Sequence, residues 1–165
     1  MTGRAALVAA LLLVAPSSGA AAGGLSFAGF SRATTMQDLK QRFPTSSFLD
    51  NYVYVSDADA RDHIYGVEVP GRTPGGRLRL FFERPAERTA TQRPEYPSCT
   101  RLESAVQAVN GPPSSVRHFM EERSQNRELI WERADEILLL RCFRAGKSKG
   151  NFLTEAITIE PKGRR

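Results

Sequence analysis

"TRLESAVQAVNGPPSSVRHFMEERSQNRELIWERADEILLLRCFR", residues 100–144, decides the fold, because its hydrophobic period changes partway along. Leu102, Ala105, Val106 and Val109 fall at i, i+3, i+4 and i+7, the stripe of a short amphipathic helix. Thr100 and Glu103 have the spacing of a capping box at its start. Asn110-Gly111 supplies a left-handed stop, and Pro112-Pro113 forbids continuation. Beyond the prolines come "VRHFMEER" (116–123), "ELIWER" (128–133), "EILLLRCFR" (136–144) and "FLTEAITIE" (152–160), with polar joints between them. These read as an antiparallel meander, although 114–124 also accommodates a helix.

The same order occurs upstream. Thr34-Thr35 opens a helix, with Gln37 or Asp38 completing a capping box, and Met36, Leu39 and Phe43 form its apolar stripe until Pro44 ends it. After "TSSFLDN" come strand candidates "YVYVS" (52–56), "HIYGVEV" (63–69) and "RLRLFFE" (77–83), the last two joined by the turn-rich "PGRTPGG". Leu78 and Leu80 alternate with Arg77 and Arg79, as a half-buried antiparallel strand requires. Leu25, Phe27 and Phe30 suggest a short strand or an apolar tether. The fold class is therefore α+β, with short helices packed on an antiparallel β-meander sheet. Two tandem helix-plus-meander repeats are one reading, with halves at 25–84 and 95–161 and a proline-bearing linker at about 85–94. The halves match in pattern more than in identity, so a single unrepeated domain stays open.

The first 22 residues read MTGRAALVAALLLVAPSSGAAA: one positive charge, an apolar run, then small residues. That is the order of a secretory signal peptide, and the run is shorter than the ~20 residues that span a bilayer. The expectation is a leader at 1–22 and a single mature domain at 23–165, with no membrane span in the mature chain. No cysteine lies near the cleavage region to carry a lipid. Lys and Arg number 23 against 18 Asp and Glu, a net charge of +5. The signs alternate along the chain, as in Glu83-Arg84 and Glu132-Arg133, and only Lys162-Gly163-Arg164-Arg165 is purely basic. This argues against a nucleic-acid partner. Aromatic and basic residues interleave in "RLRLFFER" and "RCFR", which strand alternation explains with aromatics in the core and arginines outward.

In an oxidising compartment, two cysteines are more often a bridge than two thiols, so Cys99 and Cys142 are read as a disulfide. A helix N-terminus would lower the Cys99 pKa, but His63 and His118 are the only histidines and neither belongs to a cysteine-protease signature. The chain has no C-x-x-C, G-x-S-x-G, P-loop, H-E-x-x-H or S-x-x-K motif. In "SDADARDHIYGVE", Asp57, Asp59 and Glu68 occupy positions 1, 3 and 12 of a calcium loop. Arg61 and Asp62 stand where a ligand and a glycine belong, so these three are weak metal candidates and no cofactor is expected. Trp131 reads as a core anchor; if exposed, it would be a partner contact.

The stretches "TTMQDLKQRFP" (34–44) and "TRLESAVQAVNGPP" (100–113), each a helix ending in a chain reversal before strands, resemble the architecture of β-lactamase-inhibitor-like proteins. The small outer-membrane assembly lipoproteins of the SmpA/BamE type are similar. The resemblance implies an exported α+β architecture. It carries over no functional residue, since there is no lipobox cysteine and no inhibitory loop to map. The function expected is that of a periplasmic or secreted, non-enzymatic envelope protein for protein binding, assembly or inhibition, its partner another envelope or secreted protein. The alternatives are a small periplasmic hydrolase using His63 or His118, and a small-ligand or metal-binding module at 57–68.

Overall fold

The computed structural model describes residues 24–70, 76–82, 96–145 and 151–163. The expected leader at 1–22, the turn at 71–75, the linker at 85–94 and Arg164-Arg165 of the basic tail lie outside the described residues. The elements are α1 (Met36–Arg42), β1 (Ser47–Leu49), β2 (Tyr52–Tyr54), β3 (Gly66–Glu68), β4 (Leu78–Phe81), α2 (Cys99–Asn110), β5 (Ser115–Glu121), β6 (Ser124–Glu132), β7 (Glu136–Ala145) and β8 (Leu153–Pro161). The fold is α+β, with two short helices and one eight-stranded antiparallel sheet in the order β1-β2-β3-β4-β8-β7-β6-β5. Each meander is sequential, and the two join where β4 pairs with β8, Leu80 opposite Ile157. The segment at 114–124 is a strand hairpin, not a helix.

Strand alternation sends one set of side chains to the helices. A single register row crosses the sheet on that face: Phe48, Val53, Val67, Leu80, Ile157, Leu140, Leu129 and Val116. Its members from Val53 to Leu129 are fully buried, in one cluster with Leu39 and Phe43 of α1 and Leu102 and Val106 of α2. Both helices therefore cover the same face.

Helix α1 begins where its sequence says. Thr35 N–H donates to Asp38 Oδ2 at 2.8 Å and Asp38 N–H to Thr35 Oγ1 at 3.2 Å. Those bonds, from the Thr35 backbone and then its hydroxyl, hold the Asp38 carboxyl below its ordinary value. Helix α2 departs from expectation. It starts at Cys99, Ser98 makes no side-chain cap, and Thr100 lies inside the helix. The cause is tertiary: Cys99 N–H donates to Phe152 O and Thr154 N–H to Pro97 O, both at 2.9 Å. Residues 97–99 thus run beside β8 where β4 has ended. Glu103, freed from any cap, holds Arg127 of β6 bidentately at 2.7 and 3.0 Å.

Leu25, Phe27 and Phe30 form neither a sheet strand nor a loose tether. They are a buried plug, closed by reciprocal Phe27–Phe30 backbone bonds at 3.0 and 2.8 Å. Ala28 and Gly29 turn the corner at φ 49° and 78°, and Arg42 clamps it by donating to Ala28 O at 2.7 Å over the Phe30 ring.

Candidate functional site

The opposite face of the sheet is uncovered by any described helix. Two adjacent rows define it by parity. One runs Leu49, Tyr52, Glu68, Arg79, Thr158, Leu139 and Ile130; the other runs Tyr54, Gly66, Phe81, Ala156, Arg141, Glu128 and Arg117. Leu49 and Tyr54 are 60% and 55% exposed, among the most accessible large apolar groups described.

Aromatic rings pave this face in two patches. Tyr54, Tyr52 and Phe81 stand in sequence across β2 to β4, with centroids 4.6 and 5.6 Å apart. Gly66 makes this possible: any side chain there would run into the Tyr52 ring, which lies across it. The second patch is Tyr96 edge-on to Phe143 at 5.0 Å. Between the patches lies an open hollow of about 570 Å³ lined by Phe81, Tyr96, Phe143, Glu121, Glu155 and Arg141, among others. Arg141 sits on its floor, paired with Glu121 and, at 2.9 Å, with Glu155. The irregularity at Arg141/Cys142 places Glu155 as the extra residue of β8, which lets it reach Arg141. Further along, Arg117 pairs with Glu128 at 3.3 Å, and Arg79 lies over the Phe81 ring at 4.8 Å. Among the described residues of this face, Glu68, Glu121, Glu128, Glu132, Glu155 and Glu160 stand against Arg77, Arg79, Arg117, Arg141 and Lys162, most of them in ion pairs, so its charges nearly balance.

Two of these positions correct the sequence reading. Phe81 and Phe143 point outward beside arginines, while Phe82 and Cys142 point into the core. For Phe81 the parity that shows this was present in the chain. Val53 and Val55 alternate with Tyr52 and Tyr54, and Leu78 and Leu80 with Arg79 and Phe81.

The other candidates lie elsewhere. Cys99 and Cys142 are joined by a disulfide, tying the start of α2 to β7. Trp131 is 2% exposed and donates from Nε1 to Gly111 O at 2.8 Å, so it is a core anchor and not a surface contact. Asp57, Asp59 and Glu68 are not gathered. Asp59 is turned inward to accept from Thr45 N–H and Ser46 Oγ, both at 2.8 Å, while Glu68 faces Arg77 at the far end of the β2–β3 hairpin. Burial pushes the Asp59 carboxyl up, but the bonds from Ser46, Thr45 and Ser56 outweigh it and hold it below its ordinary value. No group of three or more potential ligands is assembled for a metal among the described residues. His63 is exposed and contacts Arg101 Nη1 at 3.2 Å, and His118 is exposed on β5; no described contact joins the two. None of the described helices is long and apolar enough to cross a membrane. No family model matches the chain, and no curated protein or solved structure matches it either.

Proposed function

We propose that this chain is an exported, non-enzymatic envelope protein that binds another protein through the uncovered face of its sheet. The observation that carries the reading is the aromatic paving of that face, Tyr52, Tyr54 and Phe81 with Tyr96 and Phe143 beyond. Tyrosine and phenylalanine bury much area at small entropic cost, and proteins seldom leave such a patch in water without use. The interleaved, paired charges of the face make no continuous cationic track for a polyanion and suit a protein partner of mixed charge. The charge, apolar run and small residues of 1–22, together with the disulfide, support export.

The test is a photo-crosslinker placed at Tyr54, compared with one at Gln37, which is exposed on α1. The Tyr54 probe should capture a discrete partner in the cell envelope and the Gln37 probe should not. Adding Leu49→Glu, at an exposed position of the same face, to the Tyr54 probe should sharply reduce capture with an unchanged melting temperature. Equal capture from both faces, or none from either, would remove the reading.

A further inference from the structure

We propose that the free edge of β5 pairs antiparallel with the same edge of a second copy, joining two eight-stranded sheets about a two-fold axis at His118. The two outer strands of the sheet are unlike. β1 has three residues, too short to template much pairing, whereas β5 has seven, without proline or lysine and with no described strand outside it.

Hydrogen-bond parity shows what β5 offers. Glu121 and Ser124 close a two-residue turn, and such a turn closes on a pair that exchanges both backbone bonds. Alternation then commits Ser115, Arg117 and Phe119 to β6. It directs the N–H and C=O groups of Val116, His118 and Met120 at the free edge. Two copies in full overlap place His118 opposite itself, Val116 opposite Met120 of the partner, and Met120 opposite Val116 of the partner. Each of these residues presents outward-directed groups, so every bond in the new ladder is made. A shift by one residue would oppose outward groups to inward ones and forfeit the ladder.

The side chains agree with the backbone. Val116 ends the apolar row that crosses the whole sheet, and it is 42% exposed because nothing described lies beyond it; Met120, on the same face, is 63% exposed. The pairing would extend the row across the axis and cover both. On the uncovered face, Arg117 would stand opposite Phe119 of the second copy in cation–π contact, with Glu121 and Arg117 of that copy at its two diagonals, so attraction and repulsion between charges offset. The interface is small, so the dimer is a micromolar or weaker one. It would set two uncovered faces side by side as one platform.

The experiment is sedimentation of the mature chain over micromolar to millimolar concentrations, on three proteins. The parent should show a reversible monomer–dimer equilibrium. Met120→Lys should weaken it on the order of tenfold or more, because two-fold symmetry applies the change twice, with the melting temperature unchanged. His118→Cys should crosslink with itself on mild oxidation, since directly opposed residues lie within disulfide reach and the native cysteines are already bonded. A chain monomeric at every concentration overturns the proposal. A dimer that Met120→Lys leaves intact, or that His118→Cys does not crosslink, overturns it equally.

Discussion

Asn110, the last residue of α2, grips the backbone of Ser26 on both sides. Its Oδ1 accepts from Ser26 N–H at 3.2 Å and its Nδ2 donates to Ser26 O at 2.7 Å. Next along, the Glu136 carboxylate at the start of β7 accepts from Leu25 N–H. The plug that fills the core beside α1 is therefore held by residues of α2 and β7, more than eighty positions away in sequence.

Replacing Asn110 by leucine keeps the branched outline of the side chain but leaves the Ser26 groups unpaired. The expected loss is about 2 to 3 kcal/mol of unfolding free energy in urea at unchanged slope. An unchanged midpoint would show that the plug is held by its apolar side chains alone.

The Cys99–Cys142 bridge closes a loop across a sequence separation of 43. In the chain-entropy treatment this is worth about 4 kcal/mol. Cys99→Ala with Cys142→Ala should lower stability by roughly that amount, and reduction of the parent should do the same. Intact mass before and after reduction and alkylation checks the bond itself.

Asp59 gives a pH dependence with a defined sign. Its folded carboxyl lies below the ordinary 3.8, so its contribution is present above that pH and is lost as pH falls through the folded value. Asp59→Asn should therefore melt below the parent at neutral pH. The gap should close as acid is added below the ordinary carboxylate value. Melting curves across that range decide it.

Trp131→Phe retains most of the buried ring but removes the bond to Gly111 O. A cost of about 1 to 3 kcal/mol is expected. Native fluorescence of the parent should be blue-shifted, moving red on unfolding, since this is the one tryptophan in the chain.

Gly66→Val forces the Tyr52 ring off its seat. If the aromatic face binds as proposed, partner capture through Tyr54 should fall markedly. The substitution at Tyr65, one position earlier and outside that ring contact, provides the comparison.

Both helices and both meanders were legible because each is written in local terms: Thr35 with Asp38, the Pro44 and Pro112 stops, and the alternation of leucine and arginine at 77–80. What escaped was decided by distant contacts. Val109 carries the helical period yet is 61% exposed, while Asn110, polar and unremarkable in sequence, is buried to bind Ser26. Thr100 carries a capping signature, but pairing of 97–99 with β8 starts the helix two residues sooner. β1, only three residues long, has too little pattern to read. Of the uncovered face, the tyrosines of β2 and Phe81 were readable by parity. Phe143 was not, because Arg141 and Arg144 flank "CF" with opposite parity and leave the inward member undetermined until register is known.

The β4–β8 seam has a consequence for how the chain acquires its structure. β8 is last in order yet stands in the middle, with β4 on one side and β7 on the other. Until residues 153–161 arrive, the first meander has an open flank at Leu78–Phe81, and β7 has another along its whole length. Closing the seam links strands some eighty residues apart, the kind of long-range step that makes folding slow. A chain emerging from N to C terminus must therefore keep two sticky flanks apart until its final stretch is delivered, and any ribosome that stalls before that point releases a product in which both flanks stay unpaired.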